Sequence, residues 1–184
     1  MSAHRVAHAV RERVARATRE VFVDGSVNSS LKGFIMIQKT ASVNWDGPGK
    51  KGQGLISTET GALERYPYGF GSRFEDDRRG TNPEEILAAA HAACFTMAFS
   101  FACDKAGFAT GKVDTQARVR LKPEGEGFVI DQILLTLNAV VPGIDEARFQ
   151  QIATAAKNSC PLSKALASVP EIGMVATLER ASTT

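Results

Sequence analysis

Three cysteines provide the strongest nucleophiles in the sequence, and their positions predict different roles for them. Cys160 directly precedes Pro161, a residue typical of the first turn of a helix, so we expect its sulfur at a helix N-terminus. Backbone N–H groups at such a position lower a thiol pKa and increase the thiolate fraction. Cys94 lies inside a helical segment, where a cysteine by itself is usually a small core residue. Cys103 lies on the opposite face of that helix and is expected to be structural.

The spacing of histidines and cysteines argues against a metal site. The sequence has no C-x-x-C pair, and two histidines at helical spacing, His4 and His8, lie in a basic N-terminal segment. Three cysteines are too few, and odd in number, for the disulfide framework of a secreted protein. No apolar stretch of signal-peptide length follows the N-terminal arginines. We therefore expect no metal and a reducing cytoplasm as the setting.

Composition and charge predict one folded domain with an extension. With 184 residues, 43% of them hydrophobic, the chain is long enough to bury a core without disulfides. No run approaches 18 consecutive apolar residues, which argues against a membrane span, and a net charge of +2 is too small to indicate nucleic-acid binding. Residues 1–35 hold six basic and three acidic residues. We interpret them as a basic, poorly ordered extension before a domain at residues 36–184.

A long helix over residues 83–105 is the strongest structural pattern. Thr81 or Asn82 can cap it, Pro83 fits its first turn, and two glutamates follow at the positive end of the helix dipole. No helix-breaking residue occurs before Gly107. Apolar residues at intervals of three and four form one stripe: Leu87, Ala90, Cys94, Met97 and Phe101. This stripe predicts a central, buried helix, and the small residues at its centre would let another helix approach closely.

Alternating polar and apolar residues predict the strands. The predicted strands cover residues 37–45, 54–58, 113–121, 133–139 and 172–179. Residues 61–81 show no regular pattern and are expected to be an irregular loop. Further helices are expected over about 145–157 and from Pro161. The resulting order is typical of an α+β fold, with a mostly antiparallel sheet packed on two main helices.

Six short stretches together match a known family. They are Asn44-Trp45, GLISTETGAL at 54–63, PYGFGSR at 67–73, GTNPEEILAAAHAAC at 80–94, VPGI at 141–144 and CPLS at 160–163. In this order they closely resemble the OsmC group of the OsmC/Ohr family, from about Ile37 to Leu178. The resemblance implies an intertwined homodimer that reduces organic hydroperoxides, and inorganic ones more weakly. It also implies a dithiol reductant and no metal or prosthetic group.

Site roles follow from the resemblance. It implies four site residues: Cys94 as the peroxidatic cysteine, Cys160 as the resolving cysteine, Glu84 as the catalytic acid and Arg73 as the catalytic arginine. In the family this arginine pairs with both the peroxidatic cysteine and the catalytic acid. The stretch 74–80 is about one residue longer than is usual in the group and contains Arg78 and Arg79. The choice of arginine therefore stays open.

The implied chemistry suits these residue types. A thiolate attacks one peroxide oxygen and becomes a sulfenic acid. A second thiol then condenses with the sulfenic acid to form a disulfide. A dithiol reopens that disulfide by exchange. Because burial raises a thiol pKa, a neighbouring cation is needed to keep the sulfur ionised. Arginine stays charged, and its planar fork can contact sulfur, peroxide and a carboxylate together.

The separation of Glu84 and Cys94 predicts a dimer. Ten residues on one straight helix span about 15 Å, so the two cannot contact the same arginine unless the helix breaks or another subunit supplies one of them. We expect two copies of the helix to cross antiparallel near Ala88–Ala90. Glu84 of one chain would then approach Cys94 of the other, giving two equivalent sites.

Two other classes of function remain open from the sequence. One is a dimeric thiol redox sensor or a lipid-binding module, in which Cys94 is oxidised without multiple turnover. The other is a cysteine hydrolase, because His91 lies one helical turn before Cys94. No oxyanion-hole motif accompanies this pair, so we expect His91 to be a packed or hydrogen-bonded histidine.

Overall fold

The computed structural model describes residues 36–75 and 77–180. The chain divides into two units between Lys39 and Thr40, and every helix and strand given below belongs to the second unit. The extension predicted for residues 1–35 lies outside the described residues. Its boundary therefore stays a prediction.

Two three-stranded sheets, four α-helices and a short 3-10 helix (Gly49–Lys51) make up the described fold. The first sheet holds β1 (Ala41–Asp46), β2 (Gln53–Thr58) and β3 (Tyr66–Gly69). The second sheet holds β4 (Val113–Glu124), β5 (Gly127–Val140) and β6 (Glu171–Glu179). The helices are α1 (Phe70–Phe74), α2 (Pro83–Lys105), α3 (Glu146–Ser159) and α4 (Pro161–Ala165). The α+β class is confirmed.

The sheet arrangement differs from the prediction of one mostly antiparallel sheet. There are two separate sheets, and β5 pairs with β6 in parallel while the other pairings are antiparallel. The parallel pair follows from the chain order, because α3 and α4 lie between β5 and β6 and provide the crossover that parallel strands need.

The predicted loop at residues 61–81 is also corrected. It contains β3 and α1, which are four and five residues long. β3 pairs with β2 through its backbone, from Tyr66 opposite Ile56 to Gly69 opposite Gln53. A strand this short includes Pro67 and has no room for an alternating pattern, so the sequence gives little signal for it.

The core lies between the second sheet and helices α2 and α3. Alternate residues of β5 are fully buried, as predicted: Ile133, Leu135, Leu137 and Ala139. They pack with Phe95 and Phe99 of α2 and Phe149 of α3, and the rings of Phe99 and Phe149 meet edge to face at 5.6 Å between centroids. This layer holds α2 in a fixed position, so residues along α2 have a defined setting.

The face of α2 that is buried is not the predicted stripe. The buried residues are His91, Phe95, Phe99 and Cys103, whereas Met97 and Phe101 of the predicted stripe are 60% and 68% exposed. The prediction was wrong because α2 is apolar around most of its circumference, so spacing alone does not identify the core side. By length and composition α2 would also pass as a membrane span, a criterion that the core helices of soluble proteins meet as well.

Candidate active site

Hydrogen bonds between α1 and the start of α2 position Arg73. The Asn82 side chain caps α2 by accepting from the backbone N–H of Glu85 at 2.8 Å, and its Nδ2 donates to the Ser72 carbonyl oxygen at 3.0 Å. The Ser72 hydroxyl donates to the Thr81 carbonyl oxygen at 2.7 Å. The predicted cap at Asn82 is therefore confirmed, and the same residue ties the helix to the turn that carries Arg73.

Arg73 and Glu84 form a bidentate ion pair within one chain. Arg73 Nε donates to Glu84 Oε2 at 3.1 Å, and Nη2 donates to Oε1 at 2.6 Å. The Glu84 side chain is only 12% exposed, and that of Arg73 is 36% exposed. The Arg73 guanidinium also lies 5.1 Å from the centre of the Phe74 ring. Such a planar, paired arrangement holds the guanidinium in a defined orientation.

Arg79, one of the competing arginines, has a different partner. Its guanidinium donates to both carboxylate oxygens of Asp77 at 2.9 Å. These hydrogen bonds lower the pKa of Asp77 to about 2. The ion pair with Glu84 belongs to Arg73, while the choice of Arg73 over Arg78 as the catalytic arginine stays a prediction.

Cys94 and Cys160 come together although 66 residues separate them. Both are free thiols, and their Sγ atoms lie 3.2 Å apart. Cys94 lies at the middle of α2, and Cys160 caps α4 directly after the end of α3, as its position before Pro161 predicted. A disulfide needs about 2.05 Å between the sulfurs, so a small movement brings these two into bonding distance.

The two thiols differ in acidity. Burial raises the pKa of Cys94; the backbone N–H of Leu162 opposes this, and the Cys160 thiol adds to it. Burial also acts to raise the pKa of Cys160, but hydrogen bonds from Ser163, Cys94 and Leu162 outweigh it and leave that pKa below its ordinary value. No arginine is among the groups that shift the pKa of Cys94 within the described chain. The described residues of the same chain do not supply the cation expected beside this sulfur.

The four predicted site residues thus form two separate pairs. α2 runs unbroken from Pro83 to Lys105, so Glu84 and Cys94 are about 15 Å apart along its axis. The structure brings Arg73 to Glu84 and Cys94 to Cys160, but it does not bring the two pairs together in one chain.

Two residues near the thiols were not assigned site roles from the sequence. His91 is fully buried, and its Nε2 lies 2.9 Å from the Ser163 hydroxyl oxygen. His91 is therefore a packed, hydrogen-bonded histidine, as expected. Ser163 was overlooked, although it stands in the CPLS stretch three residues after Cys160.

A groove of about 820 Å³ lies beside α1, lined by Lys50, Tyr68 and Phe70 among others. Neither Cys94 nor Cys160 lines this groove. Within residues 36–75 and 77–180, no group of three or more His, Cys, Asp or Glu side chains is arranged to hold a metal ion. The paired thiols are thus the candidate reactive centre among the described residues.

Comparisons with known proteins agree with this fold. The family model described as OsmC-like protein matches residues 75–174. Peroxiredoxin OsmC of Escherichia coli is 47% identical over 132 residues, which cover 72% of this chain and 92% of that protein. The crystal structure of the organic hydroperoxide resistance protein OhrB of Bacillus subtilis is 27% identical, with a TM-score of 0.55, covering 76% of this chain and 98% of that one. The crystal structure of an organic hydroperoxide resistance protein from Elizabethkingia anophelis is 25% identical, with a TM-score of 0.60, covering 81% and 100%.

The fold and these relatives define an α+β protein with a peroxide-related redox function. The family match and the identity to the Escherichia coli relative place it more narrowly: the chain belongs to the OsmC/Ohr family.

Proposed function

We propose that this chain is a two-cysteine peroxidase that reduces organic hydroperoxides, and inorganic ones more weakly. The observation that carries the proposal is the 3.2 Å approach of the Cys94 and Cys160 sulfurs. Family relatives named as a peroxiredoxin and as organic hydroperoxide resistance proteins support the choice of substrate. Free thiols have to stay reduced between turnovers, which suits a cytoplasmic setting.

The first half of the reaction oxidises Cys94. Its thiolate attacks one peroxide oxygen, the O–O bond breaks, and the departing alkoxide takes a proton to become an alcohol. Cys94 is left as a sulfenic acid. The attack requires the ionised sulfur, so the raised pKa of Cys94 in the isolated chain has to be overcome by a nearby positive charge.

A second copy of the chain is the proposed source of that charge. Ala89, Ala90 and Ala93 are exposed on α2, beside the exposed Met97 and Phe101. An antiparallel crossing of two α2 helices near Ala89 would bury this apolar face and bring Arg73 and Glu84 of one chain to Cys94 of the other. The guanidinium, already oriented by Glu84, would then stabilise the Cys94 thiolate.

The second half of the reaction restores the enzyme. The Cys160 sulfur attacks the Cys94 sulfenic acid, an S–S bond forms, and water leaves. A dithiol reductant then reopens the disulfide by exchange and carries away its two electrons as a new disulfide. Early formation of the disulfide protects Cys94 from irreversible over-oxidation.

Turnover with a dithiol tests the proposal. The native protein is mixed with an excess of t-butyl or cumene hydroperoxide and dithiothreitol, and peroxide loss is followed. The proposal predicts many peroxides consumed per chain. In Cys160→Ser, one equivalent should be consumed rapidly before cycling stalls, and slower uptake of further peroxide should appear in mass spectrometry as over-oxidised Cys94. Stoichiometric oxidation of the native protein followed by a halt would instead identify a redox sensor, and ester hydrolysis without peroxide a cysteine hydrolase.

A further inference from the structure

Three phenylalanine rings form a connected cluster on the side of α1 that carries Arg73. Phe70 and Phe74 lie one helical turn apart, with 5.0 Å between their ring centroids. The Phe74 ring lies 4.8 Å from the ring of Phe128, near the start of β5. Phe74 is 38% exposed and Phe128 is 54% exposed. This phenylalanine cluster therefore presents aromatic surface that the described core does not cover.

The phenylalanine cluster is in direct contact with the oriented cation. The Arg73 guanidinium lies 5.1 Å from the centre of the Phe74 ring and is paired with Glu84. Among the described residues, the cation–π contact of Arg73 is made by Phe74, and none is made by Phe128. Phe128 can therefore be changed without removing that contact of the guanidinium.

An ion-paired bulge lies between Phe128 and the rest of the second sheet. The register between β4 and β5 shifts after Arg120, so Asp131 is an extra residue of β5 with no residue opposite it on β4. Its carboxylate accepts from Nε and Nη2 of Arg120, both at 2.8 Å, and Lys122 Nζ lies 3.6 Å away. A bulge bends its strand and increases the local twist. The end of the β4–β5 hairpin, which carries Phe128, thus departs from the direction of the sheet and meets α1.

An organic hydroperoxide has two parts that need different surroundings. Its peroxide oxygens accept hydrogen bonds, which a guanidinium can donate. Its apolar substituent gains free energy by leaving water. Aromatic rings pack best when they are offset or tilted, with centroids about 4.5–7 Å apart. The rings of the phenylalanine cluster are already tilted to each other by 40° and 37°, so a further ring can pack against them in the same manner.

We propose that Phe74 and Phe128 bind the apolar substituent of the hydroperoxide while its O–O group lies on the Arg73 guanidinium, and that Phe128 makes the site selective for arylalkyl hydroperoxides. The inference rests on the proposed function for the position of the O–O group. Phe128 is then a specificity-determining residue, since it contacts the substrate away from the reacting atoms. Hydrogen peroxide has no substituent and gains nothing from this contact.

A ratio of two rate constants tests the role of Phe128. The kcat/KM values for cumene hydroperoxide and for hydrogen peroxide are measured with dithiothreitol as reductant. Phe128→Ala should lower the ratio of the first value to the second about tenfold, because an aromatic contact with the substituent is lost. Phe128→Tyr keeps a ring and should restore the native ratio, whereas Phe128→Leu keeps only apolar volume and should restore part of it. Val175→Ala is the matched control, because Val175 is also 54% exposed and lies on β6.

Binding of a product alcohol tests the phenylalanine cluster without any peroxide. The alcohol formed from cumene hydroperoxide, 2-phenyl-2-propanol, is titrated into the native protein while backbone amide NMR signals are followed. Saturable shifts are expected at Phe74 and Phe128, with weaker binding of t-butanol, which has no ring. In Phe128→Ala the affinity for 2-phenyl-2-propanol should fall about tenfold.

A purely structural role for Phe128 would lower both kcat/KM values by the same factor. An unchanged ratio in Phe128→Ala would therefore overturn the proposal, and a weaker dimer in light scattering would then assign the ring to a contact between chains. Absence of saturable shifts at Phe74 and Phe128 would also overturn it. If the native protein binds 2-phenyl-2-propanol at these residues but consumes no peroxide, only the proposed function is contradicted. Should Phe128→Ala fail to fold, Phe128→Leu decides, because it keeps most of the apolar volume.

Discussion

Two regions along helix α2 differ in chemistry. An ion pair with an α1 residue lies at the start of the helix, and a pair of thiols lies at its middle. At the start, Arg73 and Glu84 neutralise each other at 2.6 Å and are held by the capping residue Asn82. At the middle, Cys94 lies 3.2 Å from Cys160 and is buried enough to raise its pKa. The first region has an oriented cation and no sulfur, and the second has the sulfur and no cation.

The proposed dimer would account for the exposed apolar side of α2. Met97 and Phe101 lie on this side of α2, and both are more than half exposed. If α2 packs against α2 of a second copy of the chain, the exposed side becomes an interface. The thiols of one chain then gain a cation from the ion pair of the other.

Replacing the sulfur of the second region should have the largest effect. Cys94→Ser is expected to reduce peroxide consumption to the uncatalysed background, because a serine hydroxyl is not ionised at neutral pH. Cys103→Ala is the control, since Cys103 lies in the core, about 13 Å beyond Cys94 along the axis of α2. That variant should lose some stability and keep its turnover. Peroxide-treated native protein with oxygen on Cys103 and none on Cys94 would contradict the assignment.

Removing the cation of the first region should have the next largest effect. Arg73→Ala is expected to raise the Cys94 pKa and to lower the rate of sulfenic acid formation by about 10²–10³-fold, as is typical when a charge-stabilising donor is lost. Arg79→Ala should leave both unchanged, because Arg79 pairs with Asp77. Thiolate absorbance against pH and single-turnover kinetics measure the two quantities. If Arg78→Ala produces the effect instead, Arg78 is the catalytic arginine.

A charge on the exposed side of α2 should disrupt the proposed dimer and so keep the ion pair of one chain away from the thiols of the other. Met97→Glu is expected to convert a dimer into a monomer and to lower turnover at least tenfold, because a carboxylate would be buried without a partner in the interface. Val175→Glu, at an equally exposed position on β6, is the control. Light scattering and turnover are measured on the same samples. A monomeric native protein with full activity would contradict the dimer.

Loss of the cap on α2 should have the smallest effect. Asn82→Ala is expected to cost about 1 kcal/mol of folding free energy, because a hydrogen bond to the helix N-terminus is lost. Asn82→Ser keeps a capping oxygen and should lose less. Denaturant unfolding measures both. Equal losses in the two variants would show that the Nδ2 bond to Ser72, rather than the cap, is what stabilises this region.

Much of the fold was predictable because it depends on local patterns. The limits of α2, the buried alternation of β5 and the capping position of Cys160 follow from turn, cap and period signals within a few residues. The parallel pairing of β6 and the short elements β3 and α1 were not predicted, since they depend on contacts between distant segments. The buried side of α2 was predicted wrongly because apolar residues surround the helix.

The residue types of the candidate site could be predicted from the sequence, but their arrangement in space less so. The pairing of Arg73 with Glu84 and of Cys94 with Cys160 accords with the family motifs. Ser163 was overlooked because a serine one turn into a short helix has no distinctive signal until its contact with His91 is known. The separation of the two pairs was expected, because ten residues of helix have a fixed length.

The central claim is that Arg73 and Cys94 of one active site come from different chains, and mixing two inactive variants tests it most directly. Cys94→Ser and Arg73→Ala chains are unfolded together in equal amounts and refolded, and native mass spectrometry verifies mixed dimers. Half the dimers are then mixed, and each has one complete site, so the account predicts about a quarter of the native turnover. Mixed dimers with no more activity than the two variants assayed separately would contradict it.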